Sequence, residues 1–324
     1  MKLLKYAAFV LLSLIYACET NPPTDPAGNI VTQKVVITSN IDSAKIFIDD
    51  IFTNLYTPDS INLAVGSYVI SLEKDNYTAS PQTITVTETA PLTVNIDMSI
   101  VTIQKVVLLE DFANTSCAPC VVSNQYIEEL KGEFGDQLLS VKFPTNFPGP
   151  NDPFYLAASS NCDFRRSFYN VLFAPTVILD GTVKPVPTDK DDIKTNIEQQ
   201  LTIAAPFEIH VAGDVVGSNY KTNIQLEIPD ISGVDYSNSV LYAAIVETEI
   251  QYSAPNGESE FYDVMRAVLP SNNGESLGNI SQSGIYTFNF EQAVDGAWDT
   301  SKLKVVAFVQ NSSTKQIYQA GSNH

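Results

Sequence analysis

The spacing of apolar residues changes twice along this chain and divides it into three stretches. Over 35–98 apolar and polar positions alternate, as at Tyr68, Ile70 and Leu72, which is the period of a half-buried strand. Strands are predicted at 35–39, 44–48, 66–74 and 82–86, with 92–96 closing the set. Asp49-Asp50, Thr57-Pro58-Asp59 and Asp75-Asn76 supply the turns. From 105 to 204 a helical period intervenes. A strand at 105–111 precedes a helix over about 117–131, with Cys120, Ile127 and Leu130 on one face and Gly132 and Gly135 ending it. A strand at 138–143 follows, then a loop carrying Pro144, Pro148, Pro150 and Pro153, a helical insert near 154–169 and a strand at 176–179. Asp180-Gly181 marks a hairpin turn, and Thr188 with Asp191 reads as a capping box for a last helix lined by Ile193, Ile197 and Leu201. The order is β-α-β-α-β-β-α. Beyond about 206 the strand period returns at 207–212, 221–228, 239–250, 262–270, 284–290, 303–310 and 316–320. Seven strands separated by turns such as Pro255-Asn256-Gly257 predict an immunoglobulin-like sandwich.

Composition adds the setting. At 324 residues, 44% hydrophobic and 17% charged, the chain is globular, with room for two or three domains. Its first residues differ from the rest. Lys2 and Lys5 precede an unbroken apolar run over 6–12, and Leu14 to Ala17 lead into Cys18. Basic, then apolar, then small is the pattern of an export signal, and the apolar part is too short to span a bilayer. The net charge of −19 becomes more negative once Lys2 and Lys5 leave with residues 1–17. Such a chain is repelled by nucleic acid, which is not expected as a partner.

The chemistry concentrates in Cys117-Ala118-Pro119-Cys120, between the apolar run Val106 to Leu109 and the first helix. A Cys-x-x-Cys there puts its first sulfur at a helix N-terminus, where free N–H groups and the helix dipole favour a thiolate. With Cys18 set apart, one local pair and an odd Cys162 remain in an oxidising compartment, which suits a redox motif better than a disulfide framework. Cys162 is open to three readings: a buried free thiol, a partner for a motif cysteine, or an intermolecular link. Other chemistry is scarce. His210 and His324 are the only histidines, too few for a histidine triad or a zinc cluster, and His210 reads as a strand residue. Asp189, Asp191 and Asp192 read as a solvated helix start, and Arg165-Arg166 as a surface helix face. No glycine-rich phosphate loop occurs, so neither a metal nor an organic cofactor is implied.

Three resemblances extend this reading. Ala17-Cys18 resembles the bacterial lipobox, which implies cleavage before Cys18 and diacylation of it. Residues 44–49, Thr57-Pro58, the run from Leu63 through Gly66 to Tyr68, and Lys74 to Tyr77 resemble a PEGA domain, with Asp50 where a glycine is usual. That resemblance implies an all-β spacer or a module contacting cell-surface glycans. The run from Asp111 to Cys120 resembles the thioredoxin active-site segment, and Ala174-Pro175-Thr176 its cis-proline loop. The resemblance implies that Cys117 is the attacking thiolate, Cys120 the resolving thiol, Pro175 the proline facing the sulfurs and Asp111 the buried carboxylate relaying a proton. Ser116 replaces the tryptophan usual before the motif. A thioredoxin-like domain followed by a sandwich, with 242–247 and the run Tyr262 to Ala267, is similar to the outer-membrane protein twenty-eight family.

The expected architecture is multidomain α+β: signal peptide 1–17, tether 18–33, PEGA-like domain 34–99, thioredoxin-like domain 104–204 and Ig-like β-sandwich 205–324. The expected protein is an outer-membrane lipoprotein, on the periplasmic face or the cell surface, exchanging disulfides with protein thiols. The alternative is a non-catalytic surface scaffold.

Overall fold

The computed structural model describes residues 23–24, 29–88 and 91–323. Cys18 and the export signal expected over 1–17 lie outside the described residues, as does most of the tether expected over 18–33. The described chain forms two compact units, Met1–Val101 and Thr102–His324. Strand predominates, and no helix among the described residues is long and apolar enough to cross a membrane.

The first unit is all β. Its strands are β1 (Thr32–Thr38), β2 (Lys45–Ile48), β3 (Ile51–Tyr56), β4 (Asp59–Ala64), β5 (Gly66–Glu73), β6 (Tyr77–Thr78), β7 (Gln82–Val86), β8 (Leu92–Asn95) and β9 (Ser99–Ile100). They form sheets of order β4-β1-β8 and β3-β2-β5-β7, plus the β6-β9 pair. Val35, Ile37, Ile46, Ile70, Val86 and Ile96 make the core between them. The sequence pattern missed β3 and β4, whose side chains are exposed or half-buried throughout. Between β2 and β3, Asp49 (φ 48°) and Asp50 (φ 64°) both take left-handed backbone, so two aspartates make the tight turn where a glycine was expected. The Asp49 carboxylate accepts the Val69 N–H at 2.8 Å and holds that turn to β5.

The second unit begins with β10 (Val107–Ala113), α1 (Ala118–Phe134), β11 (Leu138–Pro144), α2 (Pro153–Ala157), α3 (Ser159–Tyr169), β12 (Thr176–Leu179) and α4 (Lys190–Leu201). It continues through β13 (Glu208–Val216), β14 (Asn219–Ile228), β15 (Ser239–Glu247), β16 (Ile250–Gln251), β17 (Glu260–Phe261), β18 (Val264–Leu269), β19 (Glu275–Ser276), β20 (Gly284–Ala293), β21 (Leu303–Asn311) and β22 (Ile317–Ser322). α1 runs through Gly132 and stops at Gly135, whose φ of 55° suits glycine. The insert is two helices rather than one, broken at Ala158. α4 is capped by Asp189, one residue later than Thr188; the Asp189 carboxylate accepts the Asp192 N–H. Asp180 (φ 43°) and Gly181 (φ 76°) make the expected turn, but its return strand is only a bridge from Leu179 to Val183. Glycine is required there: a Cβ on Gly181 would lie 1.9 Å from the Lys315 carbonyl oxygen.

The sandwich expected over 205–324 is not a separate body. β12-β10-β11 continue into β18-β15-β21-β22 as one sheet, joined where β11 and β18 run parallel with Lys142 opposite Val264. One core draws on both halves, with Leu108, Phe112, Val141 and Phe143 beside Tyr242, Ala244, Val306 and Phe308. On the opposite face α1 and α4 cover Val107, Leu109 and Val177. The second sheet, β13-β14-β20, packs Ile224, Leu226 and Ile228 against Leu241, Ala243, Ile245 and Val305. The physical reason is that β11 leaves an unpaired edge after β10, and β18 satisfies it.

Arg165, expected on a surface face, is 3% exposed and lies at the centre of the shared core. Its guanidinium grips Glu110 at 2.5 and 2.9 Å and donates to Gln310 Oε1 at 2.7 Å. Tyr169 donates to Glu110 at 2.5 Å, and the rings of Phe168, Tyr169, Tyr242 and Phe308 surround the cation. Burial is the largest influence and opposes the charge on Arg165, but Glu110, Tyr169 and Tyr242 together outweigh it and raise the pKa. Thus α3, β10 and β21 are tied by one buried ion pair. Arg165→Met strands Glu110 in an apolar core and is expected to lower unfolding free energy by about 3–5 kcal/mol. Arg165→Met with Glu110→Gln should recover most of that loss in urea unfolding.

Candidate functional site

β10 is buried at every position and delivers the chain to a turn that fixes the cysteine motif. Asn114 builds it. Its Oδ1 accepts the Ser116 N–H at 2.8 Å, and its Nδ2 donates to the carbonyls of Thr145 (2.6 Å) and Gly149 (2.9 Å). The Thr115 N–H goes to Asp152 Oδ2 at 2.7 Å, and the Cys117 N–H to the Asn114 carbonyl at 2.9 Å. Cys117 is the N-cap residue of α1, with extended backbone and no side-chain cap, and Pro119 stands in the first turn.

Cys117 and Cys120 are joined in a disulfide, with Cα atoms 5.3 Å apart. Cys117 is 1% exposed and Cys120 wholly buried, although Ser116, Ala118 and Pro119 around them are exposed. Ala113 and Ala174 pack against the sulfur pair. The Ala174–Pro175 peptide is cis, so Pro175 follows directly on a residue touching the disulfide.

Asp111 lies on β10, six residues before Cys117, and is 1% exposed. It forms an ion pair with Lys142, its register partner on β11. Lys142 Nζ also donates to Asn124 Oδ1 at 2.6 Å, while Asp111 Oδ1 has no partner among the described residues. Beside it lies a cavity of about 10 Å³ lined by Asp111, Asn124, Lys142 and Tyr262, the volume one water molecule needs.

The C-terminal strands supply the rest of the enclosure. β16 and β17 form a short hairpin whose tip, 255–258, reaches the motif. The Asn256 N–H donates to the Thr115 carbonyl at 3.0 Å, and Asn256 Nδ2 to the Cys117 carbonyl at 3.1 Å. Glu258 accepts from Asn256 Nδ2 and from Asn124 Nδ2, both at 2.6 Å.

The structure therefore brings Cys117, Cys120 and the Ala174–Pro175 loop together, and places Asp111 on the strand leading into the motif. Cys18 lies outside the described residues. Cys162 is a buried free thiol in α3, not a partner of the motif, and burial drives its pKa far up. The sequence reading missed Lys142, Asn124, Asn256 and Glu258. Lys142 had a signal, being the one cation inside the apolar run of β11. Asn256 registered only as a turn residue. A further group was also missed: on β13 and β14, Glu208, His210 and Glu227 meet, all exposed. His210 Nε2 stands 3.4 Å from Glu208 and 3.5 Å from Glu227, because the register sets Glu208 opposite Glu227.

Residues 32–102 match the PEGA domain family. No curated protein matches the sequence. Among solved structures, HBP35 of Porphyromonas gingivalis is similar at 18% identity, with a TM-score of 0.58 over 68% of this chain and 76% of that one. The likeness is one of fold. A protein from Agrobacterium tumefaciens gives a TM-score of 0.45 at 12% identity, over 69% of this chain and 95% of that one. A domain of the outer membrane lipoprotein Omp28 from Porphyromonas gingivalis gives 0.26 at 15% identity, over 36% and 86%.

The base of the site depends on Asp263, which precedes β18 and is 2% exposed. Burial pushes its pKa up, but Lys131 at 2.5 Å, Lys304 and the Ser140 hydroxyl at 2.5 Å hold it below the usual carboxylate range. A depressed folded pKa means stability that is complete above about pH 4 and is lost as pH falls through the folded value. Asp263 has φ 49°, which asparagine tolerates. Asp263→Asn is expected to cost about 1–3 kcal/mol at pH 7 and to flatten the acid limb of a stability–pH curve measured by urea unfolding.

Proposed function

We propose that the second unit is a thioredoxin-like thiol–disulfide exchange centre, carried by an exported protein anchored in the outer membrane through Cys18. The observation that carries this reading is the Cys117–Cys120 disulfide at the N-terminus of a 17-residue helix, with the Ala174–Pro175 loop packed against it. In the oxidised state a client thiolate attacks Cys117 Sγ. The Cys117–Cys120 bond breaks, a mixed disulfide forms, and Cys120 leaves as a thiolate. A second client thiolate then attacks the client sulfur of that mixed disulfide and releases Cys117 as a thiolate. The client dithiol is oxidised by two electrons and the motif is reduced by two. The α1 N-terminus stabilises the Cys117 thiolate, and Asp111, with its unpaired Oδ1, receives and returns the proton of Cys120. Lys142 keeps that carboxylate in place. Run backwards, the same steps reduce a client disulfide.

The PEGA-type unit serves in this reading as a spacer, with cell-surface glycans as its alternative partner. Basic Lys2 and Lys5, the apolar run and Cys18 support export and anchoring to the periplasmic face or the cell surface. Cys18→Ser is expected to move the protein from the membrane fraction to the soluble fraction.

A second reading, a non-catalytic scaffold whose disulfide is a fixed staple, is favoured by the burial of both sulfurs. A fluorescent disulfide substrate with a dithiol regenerant separates the two. Wild type is expected to turn it over at least about tenfold faster than Cys117→Ser; equal rates establish the scaffold. In the reduced protein, a Cys117 thiol that alkylates with a pKa below that of a free thiol supports exchange as well.

A further inference from the structure

We propose that the tip of the β16–β17 hairpin is a lid: closed, it shields the Cys117–Cys120 disulfide, and it must swing away before a client thiol can reach Cys117. The inference rests on the exchange reading for its purpose, and on the contact of the tip with the backbone of Thr115 and Cys117 for its geometry. Sulfur attack needs an open line to Cys117 Sγ, and Cys117 is 1% exposed.

The construction of the hairpin divides into a fixed base and a releasable tip. At the base, Tyr252 and Phe261 pack on Phe154 of α2 with ring centroids 5.4 and 5.1 Å away, and Ile250, Ala254 and Val264 complete the apolar cluster. The strands pair at Ile250 with Phe261 and Gln251 with Glu260, and the Tyr252 and Ala254 N–H groups bond the Ser259 and Glu258 carbonyls at 2.9 Å, so the hairpin holds its own shape up to the tip. At the tip the contacts with the motif are polar. Asn256 gives its N–H to the Thr115 carbonyl and its Nδ2 to the Cys117 carbonyl, while Pro255 and Gly257 beside it are exposed. Such bonds exchange for water at small net cost, whereas the aromatic base does not. The tip can therefore leave while the base stays.

Two details suit a lid rather than a piece of core. The carbonyls of Thr115 and Cys117 are main-chain acceptors within the motif turn, and Asn256 bonds both, so a client segment that pairs with either must displace Asn256. The lid is also wired to the buried ion pair. Asn256 bonds Glu258, Glu258 bonds Asn124, Asn124 bonds Lys142, and Lys142 pairs with Asp111.

The test uses the full oxidised chain and dithiothreitol, which takes up the disulfide by becoming a cyclic disulfide itself. Samples are quenched with iodoacetamide in denaturant, and the mass gain over the constant label on the cysteines outside the motif, Cys18 and Cys162, reports reduction. Asn256→Ala, and Glu258→Gln, which puts an amide donor against Asn124 or Asn256, are expected to be reduced about tenfold faster than wild type, with unfolding free energy in urea lowered by no more than the about 1.4 kcal/mol that a tenfold shift represents. Rates within twofold of wild type overturn the lid. Hydrogen exchange on the wild-type chain gives a second reading free of folding effects. The Asn256 amide should exchange well before that of Met265 in β18, and equal protection also overturns the proposal. The two proposals fail separately. Faster reduction of the variants without turnover of the fluorescent disulfide leaves the lid and removes the exchange function; turnover by wild type with equal reduction rates does the reverse.

Discussion

Everything around the disulfide depends on the hydrogen-bonded seam between β11 and β18. At that seam the Lys142 N–H bonds the Asp263 carbonyl at 2.9 Å and sets Lys142 opposite Val264. One register then fixes several things. The Lys142 side chain lies against Asp111 on the neighbouring strand, and the Asp263 carboxylate receives Lys131 from α1 and the hydroxyl of Ser140. The hairpin immediately before Asp263 is thrown across the mouth of α1. A slip of one residue would turn the side chains of β18 to the wrong face and move that hairpin off the cysteines. The Arg165–Glu110 pair secures the same union from the other face, since its ligands come from α3, β10 and β21.

The arrangement makes the polar interior of this unit its most consequential part. Glu110, Asp111, Lys142, Arg165 and Asp263 are all buried, and each has a partner of opposite charge. Such pairs contribute little net stability compared with apolar residues of the same shape, but removing one member is costly. They also specify geometry, because a charge in an apolar core can be satisfied in very few ways. The chemistry proposed for Cys117 and Cys120 borrows that rigidity.

Much of the α/β segment was legible because its signals are local. The apolar runs of β10 and β11, the spacing of Cys120, Ile127 and Leu130, and the Asp180-Gly181 turn are each visible within a few residues. The cysteine motif and the Ala174-Pro175 loop were readable for the same reason. What failed was anything set by distant pairing. Residues 205–324 showed most of their strands but not that five strands there, β15, β18, β19, β21 and β22, extend the sheet begun by β10. Arg165 looked like half of an exposed basic pair because nothing nearby in sequence reveals that Glu110 and Gln310 face it. Asn256 and Glu258 lie about 140 residues from Cys117, so no window of sequence connects them. In the first unit, β3 and β4 escaped because their exposed faces erase the alternation that marks a strand.

The shared sheet also bears on where this protein can be cut. Ending the chain near 204 would leave the β11 edge bare, with a row of unpaired amides and carbonyls flanked by apolar side chains. Lys131 and Lys142 would keep their charges while losing the strand that organises them. A fragment of that kind is a template for self-association, so studying the cysteine motif in isolation means keeping the C-terminal strands attached.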